Sequence, residues 1–284
     1  MADKEKVERL ESLAFEMRTN LLELSHRTML HIGGDLSMTD MMTALYLYKM
    51  KYNLADVKWP ERDRFVLSKG HGAGCLYIAM AMAGFWTIDD IFGDYGKLGS
   101  RFGMHPCKNQ NPGMDVSSGS LGHGISIGAG MAKAAKDDGK AYRIFTLLGD
   151  GEMYEGSVWE GAMAAANYEL GNLVALVDRN RLSFNYATED KTFGMRMEPL
   201  ADKWRSFGWN VIEIDGNDMN QIVDALDAIP PVDSKVPTVI IGETTKGKGV
   251  SFMENQPKWH SGKLSDEQYE EAIAQLKKAY GREN

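Results

Sequence analysis

The chain has 284 residues, 43% of them hydrophobic, and a formal net charge of −8. That length can bury a sizeable core without disulfides, and the acidic balance argues against nucleic acid or an anionic membrane surface as partner, since both need a basic face. The two cysteines, Cys75 and Cys107, are isolated and give neither a disulfide framework nor a zinc-ligand set, so a reducing cytoplasm is expected. The charged opening MADKEKVERLESLAFEM does not suit a signal peptide, and no run of about 20 apolar residues follows, so no membrane span is expected.

Val7, Leu10, Leu13, Met17, Leu21 and Leu24 recur at helical spacing, which predicts a long amphipathic helix ending before HIGGDLS. A second helix is expected from about Met38 to about Tyr48, with Asp35 or Ser37 as N-cap. RFVLSKGHGAGCLYIAMAMAGF reads as a short strand, a glycine-rich turn and an apolar helix. Residues 92 to 123, rich in Gly, Ser and Pro, read as a long irregular loop of the kind that tends to carry function. A small-residue helix follows from Gly124, and then YRIFTLLG, a continuous apolar strand suited to a sheet buried on both faces. The alternation continues through strand NLVALVD, helix LADKWRSFG, strand NVIEI, helix MNQIVDALDAI and strand PTVIIGETT. SDEQYEEAIAQLKKAYG closes as a helix with Ser265 as N-cap. Repeated βα units predict a parallel β-sheet with helices on both faces, and no linker marks a domain boundary within 1–284.

In such a sheet ligands bind beyond the carboxyl ends of the strands. Asp150 in LLGDG and Asn180 in VDRN both fall there, at the ends of two strands joined by one helix. Either residue alone is as consistent with a helix cap or a turn. Together with a backbone carbonyl, for which Leu182 is the candidate, they form a hard-oxygen set suited to Mg2+ or Ca2+. Gly149 and Gly151 allow close approach of an anion, and the following helix N-terminus favours one, so metal and dipole together suggest a diphosphate.

Gly-Asp-Gly followed thirty positions after its Asp by an Asn, with EGSVWEGAMAAANYELGNL between, resembles the thiamine diphosphate motif in its transketolase form. HIGGDLS, LSKGHGAGCLY, GMHP, SSGSLGHGISIGAGMA and PKWH occur in transketolase order, so the resemblance covers nearly the whole chain. It resembles the N-terminal, diphosphate-binding subunit of a split transketolase. The resemblance implies that Asp150, Asn180 and the Leu182 carbonyl hold Mg2+, that Gly151 donates its N–H to the diphosphate, and that Gly119 and Leu121 lie against the cofactor. It implies further that His31, His71, His105 and His260 bind sugar hydroxyls and the carbonyl or assist proton transfer, work that suits imidazole. His123 matches less well, since many relatives carry Gln there, and its role stays open. Lys69 and Lys246 are expected to offset diphosphate charge or to position His260. Glu155 resembles the acidic residue at the family's dimer interface that links two active sites, although a helix N-terminus favours Glu for dipole reasons alone.

By the same resemblance the chain carries a single diphosphate-binding domain with an N-terminal helix and a C-terminal helical extension. A pyrimidine-binding domain with its activating glutamate is then expected from a separate C-terminal transketolase subunit, in an α2β2 assembly acting on sugar phosphates. A relative with an unusual donor or acceptor, such as a sulfosugar or branched pentose phosphate, is the alternative enzyme. A non-catalytic cofactor-binding subunit would show degenerate ligands, and these are complete. A nucleotide-binding Rossmann fingerprint is absent, since GHGISIG has one residue too many, and so is a P-loop.

Overall fold

The computed structural model describes residues 2–184 and 186–282. Helix α1 (Lys4–Arg27) buries Val7, Leu10, Met17, Leu21 and Leu24 along one face, and Asp3 caps its start by accepting the Glu5 N–H. Helix α2 runs Ile32–Ala44 and passes into a π-helical turn, Leu45–Lys49. It therefore begins six residues before the expected Met38, with His31 rather than Asp35 or Ser37 at its N-cap position. The reason is packing. Gly33 and Gly34 read locally as breakers, but a Cβ on Gly33 would sit 2.5 Å from the Trp259 carbonyl oxygen, so glycine is what lets this turn of helix meet the Trp259 backbone.

Five strands follow in a wholly parallel sheet of order β1-β2-β3-β5-β4: β1 (Arg64–Leu67), β2 (Ile144–Gly149), β3 (Leu173–Arg179), β4 (Asn210–Asp215) and β5 (Thr238–Glu243). Successive side chains leave opposite faces of a strand. Phe145 and Leu147 accordingly join the core on one side, with α1, α2, α3 (Ala73–Met82), α8 (Met219–Asp227) and α9 (Asp266–Ala279). Ile144 and Leu148 join the core on the other, with α5 (Gly124–Asp137), α6 (Gly156–Asn167) and α7 (Leu200–Ser206). Helices thus cover both faces, as the apolar strands predict. The segment expected to be irregular from residue 92 overlaps a short helix, α4 (Ile88–Asp94), closed at its start by a Thr87–Asp90 capping box. Ser265 caps α9 as expected, again within a capping box, through Gln268.

Two buried links tie the terminal helix and α2 to α1. Arg18 forms a fork–fork pair with Asp40, with nitrogen–oxygen distances of 2.7 and 2.6 Å, and also donates to the Tyr280 hydroxyl at 2.9 Å. Among the described residues no helix is long and apolar enough to cross a membrane.

Candidate active site

Gly149 pairs in register with Asp178, so the residues that follow leave the sheet side by side at its carboxyl edge. Asp150 comes directly after β2 and Asn180 directly after β3. The two loops are tied together there: Asp150 Oδ2 accepts the Arg181 N–H at 2.7 Å and the Thr188 hydroxyl at 3.3 Å. Its Oδ1 accepts the Gly151 N–H at 2.8 Å, the same N–H expected to face a diphosphate. Asn180 Oδ1 accepts the Leu182 N–H at 3.1 Å. Asp150, Gly151, Asn180 and Leu182 line one cavity of about 180 Å³, together with Gly34, Lys69, His71, Leu121, Phe184, Lys246 and His260. Burial, then the charge of Asp178, pushes the Asp150 carboxyl up to about 6. A cation at this carboxylate would offset both effects, so the residue suits a metal ligand. Among the described residues no three of His, Cys, Asp and Glu converge as a metal cage; a set of one carboxylate, one amide and one carbonyl has a different composition.

The four histidines come from segments far apart in sequence and meet over this cavity. His31 stands at the N-cap of α2, His71 in the turn Gly70–Gly72 after β1, His105 in the long loop and His260 at the end of the turn Pro257–His260. Ring centroids of His31 lie 5.3 Å from His71, 5.4 Å from His260 and 6.3 Å from His105, and His71 is 5.2 Å from His260. Burial, helped by the positive charges nearby, pushes His31 down to about 4 and His260 down to about 3, and drives His71 well below the usual range. These three rings are therefore neutral near pH 7, each with one donor and one acceptor nitrogen. Nδ1 of His31 is buried with no partner among the described residues, an atom that calls for a polar ligand.

The two lysines differ in role. Lys69 is almost wholly buried, with its ammonium 2.6 Å from Asp178 Oδ2 and 3.2 Å from the Gly34 carbonyl. Burial opposes its charge, yet Asp178 outweighs this and holds its pKa above the ordinary value. Lys246 has neutral partners instead, the Ser183 carbonyl at 3.0 Å and His260 Nδ1 at 3.2 Å. Burial and the nearby Lys69 push it down to about 8. A buried ammonium without a counter-charge in contact suits an incoming anion.

Four expected residues lie off the cavity wall: His31, which stands beside it through the His71 and His260 rings, and Gly119, Glu155 and His105. Gly119 packs against Gly70 and the His105 ring; a Cβ on Gly70 would come within 2.7 Å of the Gly119 nitrogen. Glu155 is exposed at the N-cap position of α6 and makes no side-chain cap there. His105 is also exposed; its ring packs against Gly119 and stands 6.3 Å from that of His31. His123, whose role was open, lies exposed at the start of α5, beside Ser68 and Ser118 in a separate surface hollow.

Sequence reasoning did not single out Asp178, Glu152 or Phe184. Asp178 is buried at the end of β3, where Ser37, Lys69, Asn180 and Thr244 all donate to it. Its signal was a charged residue, followed by Arg179, inside the buried end of an apolar strand. Glu152 accepts from the Gly149 and Gly122 N–H groups and from the Ser68 hydroxyl, joining three loops around the site. Phe184 sits edge-on to His260 at 4.9 Å although 55% exposed.

Residues 22–284 match the family described as transketolase, thiamine diphosphate binding domain. The chain belongs to the transketolase family. It is 43% identical over 274 residues, 95% of each chain, to a subunit of the apulose-4-phosphate transketolase of Phocaeicola vulgatus. It is 40% identical over 248 residues, 87% of this chain and 88% of the other, to a 6-deoxy-6-sulfo-D-fructose transketolase subunit of a Clostridium species. The transketolase of Leishmania mexicana superposes with a TM-score of 0.84 at 30% identity, covering 99% of this chain and 42% of that one. This chain thus spans about two fifths of the solved transketolase. The expectations of a parallel sheet, a thiamine diphosphate-binding domain and a transketolase-type transferase are borne out.

Proposed function

We propose that this chain is the diphosphate-binding subunit of a two-chain transketolase that moves a two-carbon ketol unit from a ketose phosphate to an aldose phosphate. The observation that carries the reading is the convergence of neutral His31, His71 and His260 over the cavity that also holds Asp150, Asn180 and Lys246. A polyhydroxylated ketose needs several uncharged donors and acceptors, whereas a short keto acid does not.

Asp150, Asn180 and the Leu182 carbonyl would hold Mg2+ (or Ca2+), and the Gly151 N–H and the Lys246 and Lys69 ammonium groups would face the diphosphate. Thiamine diphosphate, when bound, supplies a nucleophilic carbon and an electron sink for the cleaved ketose. Leu121, at the cavity wall, and Gly119 behind it would lie toward the ring. The Lys246 ammonium donates to His260 Nδ1, which leaves the imidazole proton on Nε2. His260 therefore offers a hydrogen-bond donor to a substrate oxygen. His31 and His71 hold further hydroxyls, and the exposed His105 takes part at the mouth. Glu155 serves the interface between active sites.

Two observations support a partner chain. The relatives in Phocaeicola vulgatus and the Clostridium species are named as subunits, and the cavity of about 180 Å³ is smaller than the roughly 300 Å³ at which ligand pockets usually begin. Half a site on each chain explains both. We read 1–284 as a single diphosphate-binding domain working in the cytoplasm, in an α2β2 assembly with a C-terminal subunit that carries the pyrimidine-binding domain.

The test is ketol transfer measured with this chain alone, with the gene product encoded beside it, and with Asp150→Ala in the pair. Activity of the isolated chain overturns the two-chain reading, and full activity of the Asp150→Ala pair overturns the metal site. The relatives' names favour an unusual sugar, so the donor and acceptor panel should include branched pentose phosphates and sulfosugars beside the common aldose phosphates.

A further inference from the structure

A second cavity opens at the amino edge of the same sheet, with a volume of about 510 Å³, lined by Tyr48, Lys49, Lys51, Asp63, Ala141, Arg143, Phe145 and Val232. Arg143 directly precedes β2, and β2 ends at Asp150, so at about 3.3 Å per residue the two cavities stand about 20 Å apart. None of the lining residues belongs to the site described above.

The charges in this cavity are unbalanced. Arg143 gives Nη2 to the Pro230 carbonyl at 2.5 Å, while its Nη1 is buried with no partner among the described residues. Burial lowers its pKa. The Lys51 side chain is in no ion pair or hydrogen bond among the described residues, and Lys49 reaches Asp227 only at 3.3 Å. One carboxylate lines the wall, Asp63, and both its oxygens are taken by backbone, from the Lys51 N–H and the Arg143 N–H, each at 2.8 Å. In a chain of net charge −8 this is a local cationic pocket, lined by the Arg143 guanidinium and the Lys49 and Lys51 side chains beside an apolar wall of Val232 and the Tyr48 ring.

We propose that this amino-edge cavity binds a small phosphate ester, its phosphate held by Arg143 and Lys51 and its organic part against Val232 and the Tyr48 ring. The Arg143 guanidinium and the Lys51 ammonium together match a dianion, which satisfies both cations at once, as a single carboxylate does not. The volume fits a metabolite of a few carbons rather than a bare ion.

The test uses the full chain and inorganic phosphate as probe, with the acylation rate of individual lysines by acetic anhydride read by peptide mass spectrometry. Phosphate should slow labelling of Lys51 while that of the exposed Lys191 is unchanged. Arg143→Gln should weaken that protection about tenfold, and Lys246→Met, at the other edge of the sheet, should leave it intact. Ala141→Glu puts a like charge at the exposed rim without touching the core, so it decides the matter if Arg143→Gln does not fold; it should abolish protection. Unprotected Lys51, protection that survives Ala141→Glu, protection lost in Lys246→Met, or protection by succinate equal to that by phosphate would each overturn the proposal.

Discussion

Lys69 Nζ lies 2.6 Å from Asp178 Oδ2 with both side chains almost wholly buried, so one ion pair joins the β1–α3 turn to the end of β3 under the diphosphate site. Ser37 from α2 donates to the same oxygen at 2.6 Å, Asn180 donates to it at 3.1 Å, and Thr244 donates to Oδ1 at 2.5 Å. A buried carboxylate with this many donors orients the residues around it rather than reacting.

Asp178→Asn should therefore destabilise the fold, because it leaves Lys69 as a buried charge without its partner. Loss of one partner of a buried pair costs about 3–5 kcal/mol. Urea denaturation measures it, and the double variant Asp178→Asn/Lys69→Met should cost less than the sum of the two singles. Additive losses would show that the pair does not act as a unit.

The Arg18–Asp40 pair makes a similar prediction far from the site. Asp40 also accepts the Asn217 side-chain amide at 2.9 Å. Asp40→Ala should lower stability by about 3–5 kcal/mol without altering metal-dependent cofactor affinity in the reconstituted complex. A cofactor affinity that falls in parallel would tie α1 to the site and contradict this separation.

Lys246→Met should weaken thiamine diphosphate binding to the reconstituted complex by about 10- to 100-fold, the worth of a charge-assisted hydrogen bond to an anion. The apo chain should keep its stability, since a buried ammonium with only neutral partners is costly. Calorimetric titration and thermal melting read the two effects. Unchanged affinity removes Lys246 from the cofactor site.

The histidines predict a pH dependence. His31 and His260 have pKa values pushed from 6.5 down to about 4 and about 3, so between those values the unfolded chain binds more protons than the folded one. Their contribution to stability is full above about pH 6.5 and is lost as the pH falls toward 4 and 3. Asp35, pushed up to about 7 by burial, has the opposite sign: its contribution is lost as the pH rises through 7. The comparison that isolates the histidine is the melting temperature of wild type against His260→Gln from pH 7 to 5, where wild type should fall relative to the variant. Parallel curves would refute a neutral buried His260.

Gly33→Ala should be poorly tolerated although alanine favours helix. Its Cβ would meet the Trp259 carbonyl at 2.5 Å, one residue before His260. Overpacking of this kind costs about 1–3 kcal/mol, and turnover of the complex should fall with it as His260 moves. An active, equally stable variant would show that the turn at 257–260 can yield.

Much of this protein is written in short-range pattern. The apolar runs of β2, β3 and β5, the Ser265 cap and the polar residues at the strand ends follow from local period and local hydrogen bonding, and these alone place Asp150 and Asn180 on one edge of a parallel sheet. The early start of α2 was not legible, because two glycines that read as a break stay helical where Gly33 meets the Trp259 backbone and Gly34 the Lys69 side chain. The meeting of His31, His71, His105 and His260, the role of Asp178 as a hub and the cationic cavity at Arg143 depend on how far-separated segments pack. Sequence spacing encodes the period and the caps of each element, whereas the distance between two elements is decided by the side chains that fill the space between them.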